Sequence, residues 1–418
     1  MVLDGVVVLD ITQAGAGAFA TRLLADLGAL VLKIELPPAG DLSRIMFATQ
    51  TGDGILFENN NAGKRGLCFD YRQPAGKELL VELLAKSDVF IENFSAGTVA
   101  RYGLDYPTIV GIRPDVVMCS VSTFGQTGPW RQHVGAEPSA QALAGMAYMN
   151  REPGERPILV SSAIADSATA VHAALAVVAA LYRRTLTGEG DYVELSQVDT
   201  MMSMDLLNVP RAAARASGVP FVGDDAIEPT GVHQPVTTPF GTFRAADGFV
   251  TIETWGAGPG SHWSRLCQAL VRPDLVDDDR FRTDADRWAH LNELVLIIES
   301  WLRTRPRAES VEILLRHRVI AAPVLSPAEA VASDIAAARN VVREVAHPRM
   351  GSIKMIASPA KFQRAGETLL SRAPLLGEHT AWVLREILGY DEGRIASLIT
   401  SGVLGRPDPA VSFGGDAR

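Results

Sequence analysis

The sequence predicts an α/β protein: a Rossmann-like large domain with a mostly parallel sheet, plus a smaller α+β domain. Through the first half of the chain, apolar strand-like runs such as "VVVLD" alternate with apolar-periodic helical segments. Repeated β-α-β units imply a parallel sheet covered by helices on both faces. Near residue 225 the pattern changes to segments rich in Pro, Gly and Thr with short β-like runs, which indicates the second domain.

The elements of the large domain follow in a regular order. Strands are predicted in "VVVLD", "LVLKIE", "GLCFDY", "DVFIENF" and "PDVVMCSVSTFG". Residues 16–27 form the first connecting helix, and Pro74 stands where a helix tolerates proline, at its first turn. Residues 164–186 form one long helix that is apolar nearly all round, which predicts burial. "DYVELSQVD" then forms a strand that leads into another helix.

These patterns predict four segments. Residues 1–224 form the first part of a large α/β domain that binds its ligand at the carboxyl ends of the strands. Residues 225–325 form the small α+β domain, and residues 326–402 return to the large domain. Residues 403–418 are Gly- and Pro-rich and are expected to be a flexible tail.

Composition indicates a cytoplasmic protein. The net charge of -9 argues against a nucleic-acid or anionic-membrane binder. Cys68, Cys119 and Cys267 are far apart and form no C-x-x-C pair, so we expect buried free thiols in a reducing compartment. No signal-type segment opens the chain, and the apolar run Ala173–Leu181 is too short for a membrane span of about 20 residues.

A short motif near the N-terminus resembles a dinucleotide-binding turn. Gly15, Gly17 and Ala20 fit G-x-G-x-x-A, and Glu35 ends the next strand about 20 residues later, where a ribose-binding carboxylate is expected. However, "ITQA" separates Asp10 from the first glycine, whereas a pyrophosphate-binding turn follows its strand almost directly. The small residues have a second explanation, which is close packing of helix on strand.

Several longer segments follow one another along the chain: "VVVLDITQAGAGAFATRLLADLGALVLKIELPPAGDLSR", "NAGKRGLCFDYRQPAGKELL", "KSDVFIENFSAGTVARYGLDY", "VSTFGQTGPW", "ADSATAVHAALAVVAALYRRTLTGEGDYVELSQVD" and "APLLGEHT". In sequence and in order, these segments resemble the class III CoA-transferase family, which includes formyl-CoA and carnitine CoA-transferases and alpha-methylacyl-CoA racemases. The resemblance is strongest over residues 1–200 and 373–380. It implies an interlocked homodimer and coenzyme A or acyl-CoA as substrate, with neither a permanently bound cofactor nor a metal.

The resemblance assigns the nucleophile to Asp166, which opens the long helix in "AIADSATA". A carboxylate in the first turn of a helix is stabilised by the free amides and the dipole, remains ionised, and can attack a thioester in a dry pocket. The alternative is that Asp166 only caps the helix, because Asp is a favoured capping residue. As in the family, catalysis would pass through an aspartyl-acyl anhydride and an aspartyl-CoA thioester.

The resemblance also places the CoA site at the strand ends. Its residues are Gln13, Ala14, Gly15, Ala16, Phe69, Asp70, Tyr71, Arg72, Asn93, Phe94, Ser95 and Arg101. Arg101 matches an arginine that holds phosphate, for which the guanidinium fork is well suited. Lys64, Arg65 and Arg72 have a simpler alternative as a solvated charged turn, and Asn93 as a structural turn residue.

Three departures from the family pattern bear on the substrate. Ala136 stands where racemases carry a His, so two-base racemisation is disfavoured and the pocket is expected to be roomy. Glu137 matches a family carboxylate that orients the site or binds substrate, although an ordinary loop acid would look the same. "EPTGVHQPVTTPFG" replaces a glycine-run loop, and Leu36 replaces an arginine, so formate and oxalate are poorly supported as substrates.

The sequence therefore predicts an enzyme that moves CoA from an acyl-CoA to a free carboxylic acid. Three alternatives stay open. An acyl-CoA racemase would need a second base near Asp166, and a nicotinamide oxidoreductase would need pyrophosphate at Gly15 and Gly17. A non-catalytic CoA-binding protein would keep Asn93 and Arg101 without needing the aspartate.

Overall fold

The computed structural model describes residues 1–219, 227–234, 237–405 and 408. The β-strands are β1 Val7–Asp10, β2 Leu30–Glu35, β3 Arg65–Cys68, β4 Val89–Glu92, β5 Val117–Ser122, β6 Asp191–Ser196, β7 Phe240–Ala245, β8 Gly248–Glu253, β9 Ile320–Pro323, β10 Val342–His347 and β11 Gly351–Ile356. The α-helices are α1 Ala16–Asp26, α2 Ile55–Asn61, α3 Pro74–Leu84, α4 Tyr106–Ile112, α5 Glu137–Leu143, α6 Met146–Met149, α7 Ile164–Thr187, α8 Gln197–Met204, α9 Asn208–Ala216, α10 His262–Ala269, α11 Asp284–Ala289, α12 Leu291–Leu302, α13 Arg307–Arg316, α14 Pro327–Val331, α15 Asp334–Ala338, α16 Thr380–Glu386 and α17 Glu392–Thr400.

Strands β1 to β6 form one sheet in the order β3-β2-β1-β4-β5-β6, and every neighbouring pair is parallel. This confirms the predicted α/β class with a mostly parallel sheet. The winding reverses at β1, which pairs with β2 on one side and β4 on the other. Ligands of open α/β sheets bind at such a switch point, beyond the carboxyl ends of the strands.

The side chains of consecutive apolar residues in the strands point to opposite faces of the sheet. Leu9 and Leu32 belong to a buried cluster that includes side chains of α3, α4 and α16. Their neighbours Val8 and Val31 belong to a second cluster, with side chains of α1 and α7. Because helices cover both faces, the strands read as continuous apolar runs instead of alternating ones.

The chain divides into two compact units. The first comprises Met1–Met146, Leu159–Val219 and Ile335–Arg418, and the second comprises Ala147–Ile158 and Pro220–Asp334. The second unit contains the antiparallel sheet β7-β8-β9, whose core includes the fully buried Trp263. The first unit contains the parallel sheet and the antiparallel pair β10-β11.

Helix α7 is apolar all round but buried on only one side. Ala173 and Val177 belong to the cluster beneath it, whereas Leu175 and Tyr182 are each more than half exposed. The prediction of complete burial is therefore wrong, because only the inner face meets the sheet. By length and composition alone, α7 is sufficient for a membrane span, since it has 24 residues and a mean hydropathy of 1.7 in its most apolar window. Half of that window is buried inside the protein, as in a core helix.

The predicted flexible tail begins with ordered residues. Leu404 is buried and bridges to Phe69, and the Gly405 N–H donates to the Cys68 carbonyl at 2.8 Å. Leu404 and Gly405, within the segment predicted to be a flexible tail, thus contact the end of β3. Residues 406, 407 and 409–418 lie outside the described part of the chain. All three cysteines are buried and free, as predicted.

Candidate active site

Asp166 is the third residue of α7 and does not cap it. The N-cap position is Ala163, in a left-handed conformation (φ 49°), and no side chain caps the helix there. Instead, Glu137 at the start of α5 accepts the Ala165 N–H at 3.2 Å. Glu137 is itself held by Gln141, whose Nε2 donates to it at 2.6 Å. A neighbouring carboxylate thus stabilises the helix N-terminus, and the Asp166 carboxylate is left for other contacts.

The Asp166 carboxylate lies against the turn after β1. A methyl group added to Gly15 would lie 2.6 Å from Cγ of Asp166 and closer still to Oδ2. The backbone N–H of Ala16 lies near the carboxylate and acts to lower its pKa. On the other side, Nε2 of Gln197 donates to Oδ1 at 2.5 Å. Glycine is therefore required at position 15, because the backbone approaches a carboxylate where no side chain fits.

The turn that meets Asp166 is held rigidly by side chains from elsewhere in the fold. Asn93 makes a reciprocal pair with Gln13: its Oδ1 accepts the Gln13 N–H at 2.7 Å, and its Nδ2 donates to the Gln13 carbonyl at 2.8 Å. Asp41 accepts the Ala14 N–H at 3.0 Å, and Asn60 donates to the Ala14 carbonyl at 2.9 Å. These bonds stabilise Ala14 in a left-handed conformation (φ 56°), which is strained for a residue other than glycine.

Beneath this turn lies a buried cluster of charges. Lys33 contacts Asp41 at 2.8 Å, and Lys64 contacts Asp10 at 2.9 Å. The alternative of a solvated charged turn does not apply to Lys64, because its side chain is buried and binds Asp10. Burial lowers the pKa of Lys64 to about 8. Burial alone would raise the pKa of the Asp41 carboxyl, but Lys33 and the hydrogen bonds from Ser43 together outweigh it and lower that pKa.

The environment raises the pKa of Asp166 above its ordinary value. Burial is the largest cause, and repulsion from Glu137 adds to it, while the hydrogen bonds from Gln197 and the Ala16 N–H act in the opposite direction. The anion is thus less stable here than in water, contrary to the simple expectation of an aspartate stabilised by a helix dipole. A less stabilised carboxylate is a stronger base and a better nucleophile when ionised.

The turn after β3 exposes only part of the stretch predicted to bind a nucleotide. The side chains of Phe69 and Tyr71 are buried in the core, and Tyr71 packs edge-on against Tyr102. Arg72 forms a two-pronged ion pair with Asp70, with both distances 2.8 Å. At this turn the charged groups Asp70 and Arg72 face outward, but the arginine is already paired.

The residues after β4 lie beside a small pocket of about 60 Å³. It is lined by Asn93, Phe94, Ser95, Ser122, Thr123, Phe124, Arg131, His133 and Gly135. Arg101 lies in the turn that follows, exposed, with its guanidinium 3.3 Å from the Thr98 hydroxyl and without an ion pair among the described residues. The structure thus brings predicted CoA residues together with two basic side chains, Arg131 and His133, that sequence reasoning had not placed in the site.

The structure also shows the surroundings of Ala136 and Glu35, two residues discussed in the sequence analysis. Ala136 is exposed at the N-cap of α5, next to Glu137. Glu35, the candidate ribose-binding acid, is fully buried and binds Arg44 through both oxygens at 2.6 Å. A carboxylate engaged in this way is not free to receive a ribose hydroxyl. Within the described ranges, no group of three or more His, Cys, Asp or Glu side chains is arranged to hold a metal ion.

Sequence reasoning missed Gln197, Asp41, Asn60 and Lys33. Gln197 is the first residue of α8, immediately after β6, and so stands at the carboxyl end of a strand, where ligand-facing residues are expected. Its position directly after a strand is the sequence feature from which Gln197 could have been predicted. Asp41, Asn60 and Lys33 hydrogen bond to the backbone of the turn after β1, at Ala14 and Thr12. No local sequence pattern indicates such contacts.

Comparison with known proteins gives consistent matches over nearly the whole chain. The sequence matches CoA-transferase family III over residues 3–380. It is 31% identical to a formyl-CoA:oxalate CoA-transferase of Rhodopseudomonas palustris (strain BisA53), over 98% of this chain and 99% of that protein. It is 30% identical to a succinyl-CoA:glutarate CoA-transferase of Mus musculus, over 96% of this chain and 90% of that protein. The crystal structure of a CAIB/BAIF family protein from Brucella suis is similar with a TM-score of 0.81 and 29% identity, covering 92% of this chain and 99% of that one.

Proposed function

Because the chain belongs to CoA-transferase family III, we propose that it moves CoA from an acyl-CoA to a free carboxylic acid by covalent catalysis at Asp166. The observation that carries this proposal is the placement of the Asp166 carboxylate directly against Gly15, at the switch point of the sheet. Its raised pKa and its freedom from a capping role suit a nucleophile.

The reaction proceeds in four balanced steps. An oxygen of Asp166 attacks the acyl carbon of the donor, the C–S bond breaks, and CoA leaves as a thiolate, which leaves an acyl anhydride on the enzyme. The thiolate attacks Cγ of Asp166 and expels the first acid as a carboxylate, forming an aspartyl-CoA thioester. The acceptor carboxylate attacks the same Cγ and releases the thiolate. The thiolate then attacks the acceptor's acyl carbon, which forms the new acyl-CoA and restores the Asp166 carboxylate.

CoA is proposed to bind along the carboxyl ends of β1, β3 and β4. The fixed backbone of Gln13 to Ala16 would face the thioester end, and the turns at Asp70 to Arg72 and Asn93 to Ser95 would flank the nucleotide. Asn93 also hydrogen bonds to the backbone of Gln13 and so fixes the turn after β1. A contact of Asn93 with CoA would be in addition to this structural role. Arg101 is the best candidate for phosphate, because its guanidinium has no carboxylate partner in the described structure, whereas Arg72 is paired with Asp70.

Arg101→Ala is expected to weaken CoA binding by about 1–3 kcal/mol, the range for a hydrogen bond to a charged group. Isothermal titration with CoA measures the change, and NAD serves as a ligand that neither form should bind. Arg316→Ala is a matched control, since Arg316 is an exposed arginine paired with Glu312 on α13. An unchanged affinity for CoA would assign the phosphate contact to another residue, such as Arg131.

The acids exchanged are proposed to be larger than formate and oxalate. Ala136 adds only a methyl group at the substrate-proximal position, and it is exposed. Of the two relatives' reactions, transfer between succinyl-CoA and glutarate fits this space better. An assay that pairs succinyl-CoA or formyl-CoA with glutarate, succinate or oxalate, with products measured by mass, tests the choice. Faster transfer from formyl-CoA to oxalate would contradict it.

Racemisation remains the second candidate only because family members catalyse it. Ala136 cannot transfer a proton, and Glu137, whose charge acts on Asp166, is engaged in capping α7. The same assay run in deuterated water separates the two reactions. A racemase would exchange the α-hydrogen of the acyl group without any acceptor acid.

We further propose that the protein acts in the cytoplasm as an interlocked homodimer. Four apolar side chains, Val171, Leu175, Tyr182 and Leu186, form a continuous exposed stripe on α7, and each is more than half exposed. A second copy of the chain would bury this stripe. The buried free thiols suit a reducing compartment.

Sedimentation equilibrium should give a mass of about twice 44.7 kDa for the wild type. Leu175→Glu should shift the equilibrium towards monomer, because a charge would replace an apolar contact in the interface. A wild type that sediments as a monomer at micromolar concentration would contradict the dimer.

A further inference from the structure

Gln197 is a buried amide whose hydrogen bonding is directed at the nucleophile. It begins α8 directly after β6, and its neighbour Ser196 is the N-cap, accepting the Asp199 N–H at 3.2 Å. Its side chain is 5% exposed, and Nε2 donates to Oδ1 of Asp166 at 2.5 Å. Its Oε1 has no hydrogen-bond partner within the described chain, so Asp166 is the only residue there that the amide binds.

The Ala16 N–H reaches the same carboxylate from the turn after β1. Asp166 therefore lies between a side-chain donor that follows the edge strand β6 and a backbone N–H that follows the interior strand β1. The amide of Gln197 is directed at one defined oxygen, Oδ1, and the Ala16 N–H lies near the same carboxyl group. N–H donors placed in this way around a carboxyl group can form an oxyanion hole. Here the carboxyl group is the enzyme's own.

Resting on the proposed function, we propose that Gln197 is a catalytic amide that stabilises the oxyanion formed when Cγ of Asp166 is attacked. Two of the four steps go through this oxyanion: attack of the thiolate on the anhydride, and attack of the acceptor acid on the aspartyl-CoA thioester. In each, the C=O bond at Cγ opens, and the electron pair moves onto Oδ1, which Nε2 of Gln197 binds. The pair returns when the leaving carboxylate or thiolate departs.

In the first step, formation of the anhydride, the charge on Oδ1 decreases instead of increasing. Oδ1 belongs to an anion before that step and to a neutral acyl group after it, so the hydrogen bond from Gln197 weakens as the anhydride forms. Only interactions that are stronger in the transition state than in the ground state accelerate a step. Gln197 should therefore accelerate attack at Cγ without accelerating formation of the anhydride. A residue that merely positioned Asp166 would affect all steps alike.

The test compares Gln197→Met with the wild type, using succinyl-CoA without an acceptor acid. In the wild type, the thiolate released in the first step should be captured at once as a CoA adduct on the peptide that holds Asp166, with little free thiol. In Gln197→Met, free thiol should appear at close to the wild-type rate of succinyl-CoA consumption, while the adduct forms roughly 100-fold more slowly, as for loss of one oxyanion donor. A thiol reagent and quenched mass spectrometry measure the two products, and the protein's own thiols are buried.

Two further variants keep the result interpretable. Thr200→Val removes a buried hydroxyl from α8 that donates to the Ser196 carbonyl and has no other partner among the described residues, so this variant should behave as the wild type. Gln197→Asn keeps the amide but shortens the side chain by one methylene. It should also slow adduct formation relative to thiol release, by a smaller factor, and it replaces the Met variant in the test if that variant does not fold. Equal slowing of thiol release and adduct formation, or adduct formation at the wild-type rate, would overturn the role of Gln197. Absence of the adduct from the wild type would instead overturn the covalent route, and this role with it.

Discussion

Replacing Asp166 with Asn is expected to reduce CoA transfer to background and to leave the fold intact. An amide cannot form the acyl anhydride, so the covalent route is closed at its first step. Stability should not fall, because the folded state raises the pKa of Asp166 and therefore disfavours its anion. That penalty grows as pH rises from the ordinary carboxyl pKa through the raised one, and a neutral amide avoids it. Transfer assays and thermal unfolding at neutral pH measure the two effects.

Asp199→Asn is the matched control, since Asp199 is an exposed acid in the first turn of the neighbouring helix α8. It should retain full activity. Wild-type enzyme mixed with an acyl-CoA should also gain the mass of CoA on the peptide that holds Asp166, and hydroxylamine should remove it. Turnover by the Asp166→Asn variant would exclude the aspartate from the mechanism and favour a proton-transfer enzyme. Absence of both turnover and adduct in the wild type would favour a non-catalytic CoA-binding protein.

Gly15→Ala is expected to lower transfer by at least about 100-fold, the scale of the loss when a reacting group is displaced by about 1 Å. The added methyl group would overlap the Asp166 carboxylate, and neither side can yield easily. The turn is fixed through Asn93 and Asp41, and the carboxylate is fixed by Gln197. Turnover at saturating substrate is the measurement.

Gly111→Ala provides the control for this change. Gly111 lies in α4 with open space around it and an ordinary helical backbone, so alanine should be tolerated and should slightly favour the helix. If Gly15→Ala retained wild-type turnover, the close approach of the turn to Asp166 would have no part in catalysis. The geometry of the site would then have to differ when substrate is bound.

Much of the fold was predictable because its signals are local. The long helix was predicted at residues 164–186 and is Ile164–Thr187, and each predicted strand of the parallel sheet is present. Apolar periodicity and the order of β-α-β units depend on neighbouring residues. The exposed face of α7 was not predictable in this way, because an apolar helix gives no local sign of which side meets the sheet.

Asp166 could be proposed as the nucleophile from the family resemblance. The groups that contact it could not be predicted from the sequence. Gln197 is 31 positions from Asp166, and Glu137 is 28 positions from the Ala165 amide that it caps. Lys64 is 54 positions from Asp10, so a lysine that looks like part of a charged surface turn is in fact buried. Contacts between residues so far apart in the sequence depend on the order of the strands in the sheet, and this order is not evident from the sequence.

The surroundings of Asp166 also determine how much of the chain must be synthesised before the site is complete. The turn at Gly15 follows β1, the first strand of the parallel sheet in the sequence, whereas Gln197 follows β6, the last one. A nascent chain that has emerged only as far as residue 190 already contains the aspartate, but it lacks the amide that donates to Oδ1. The full set of hydrogen bonds to this carboxylate therefore requires the sixth strand and the start of α8.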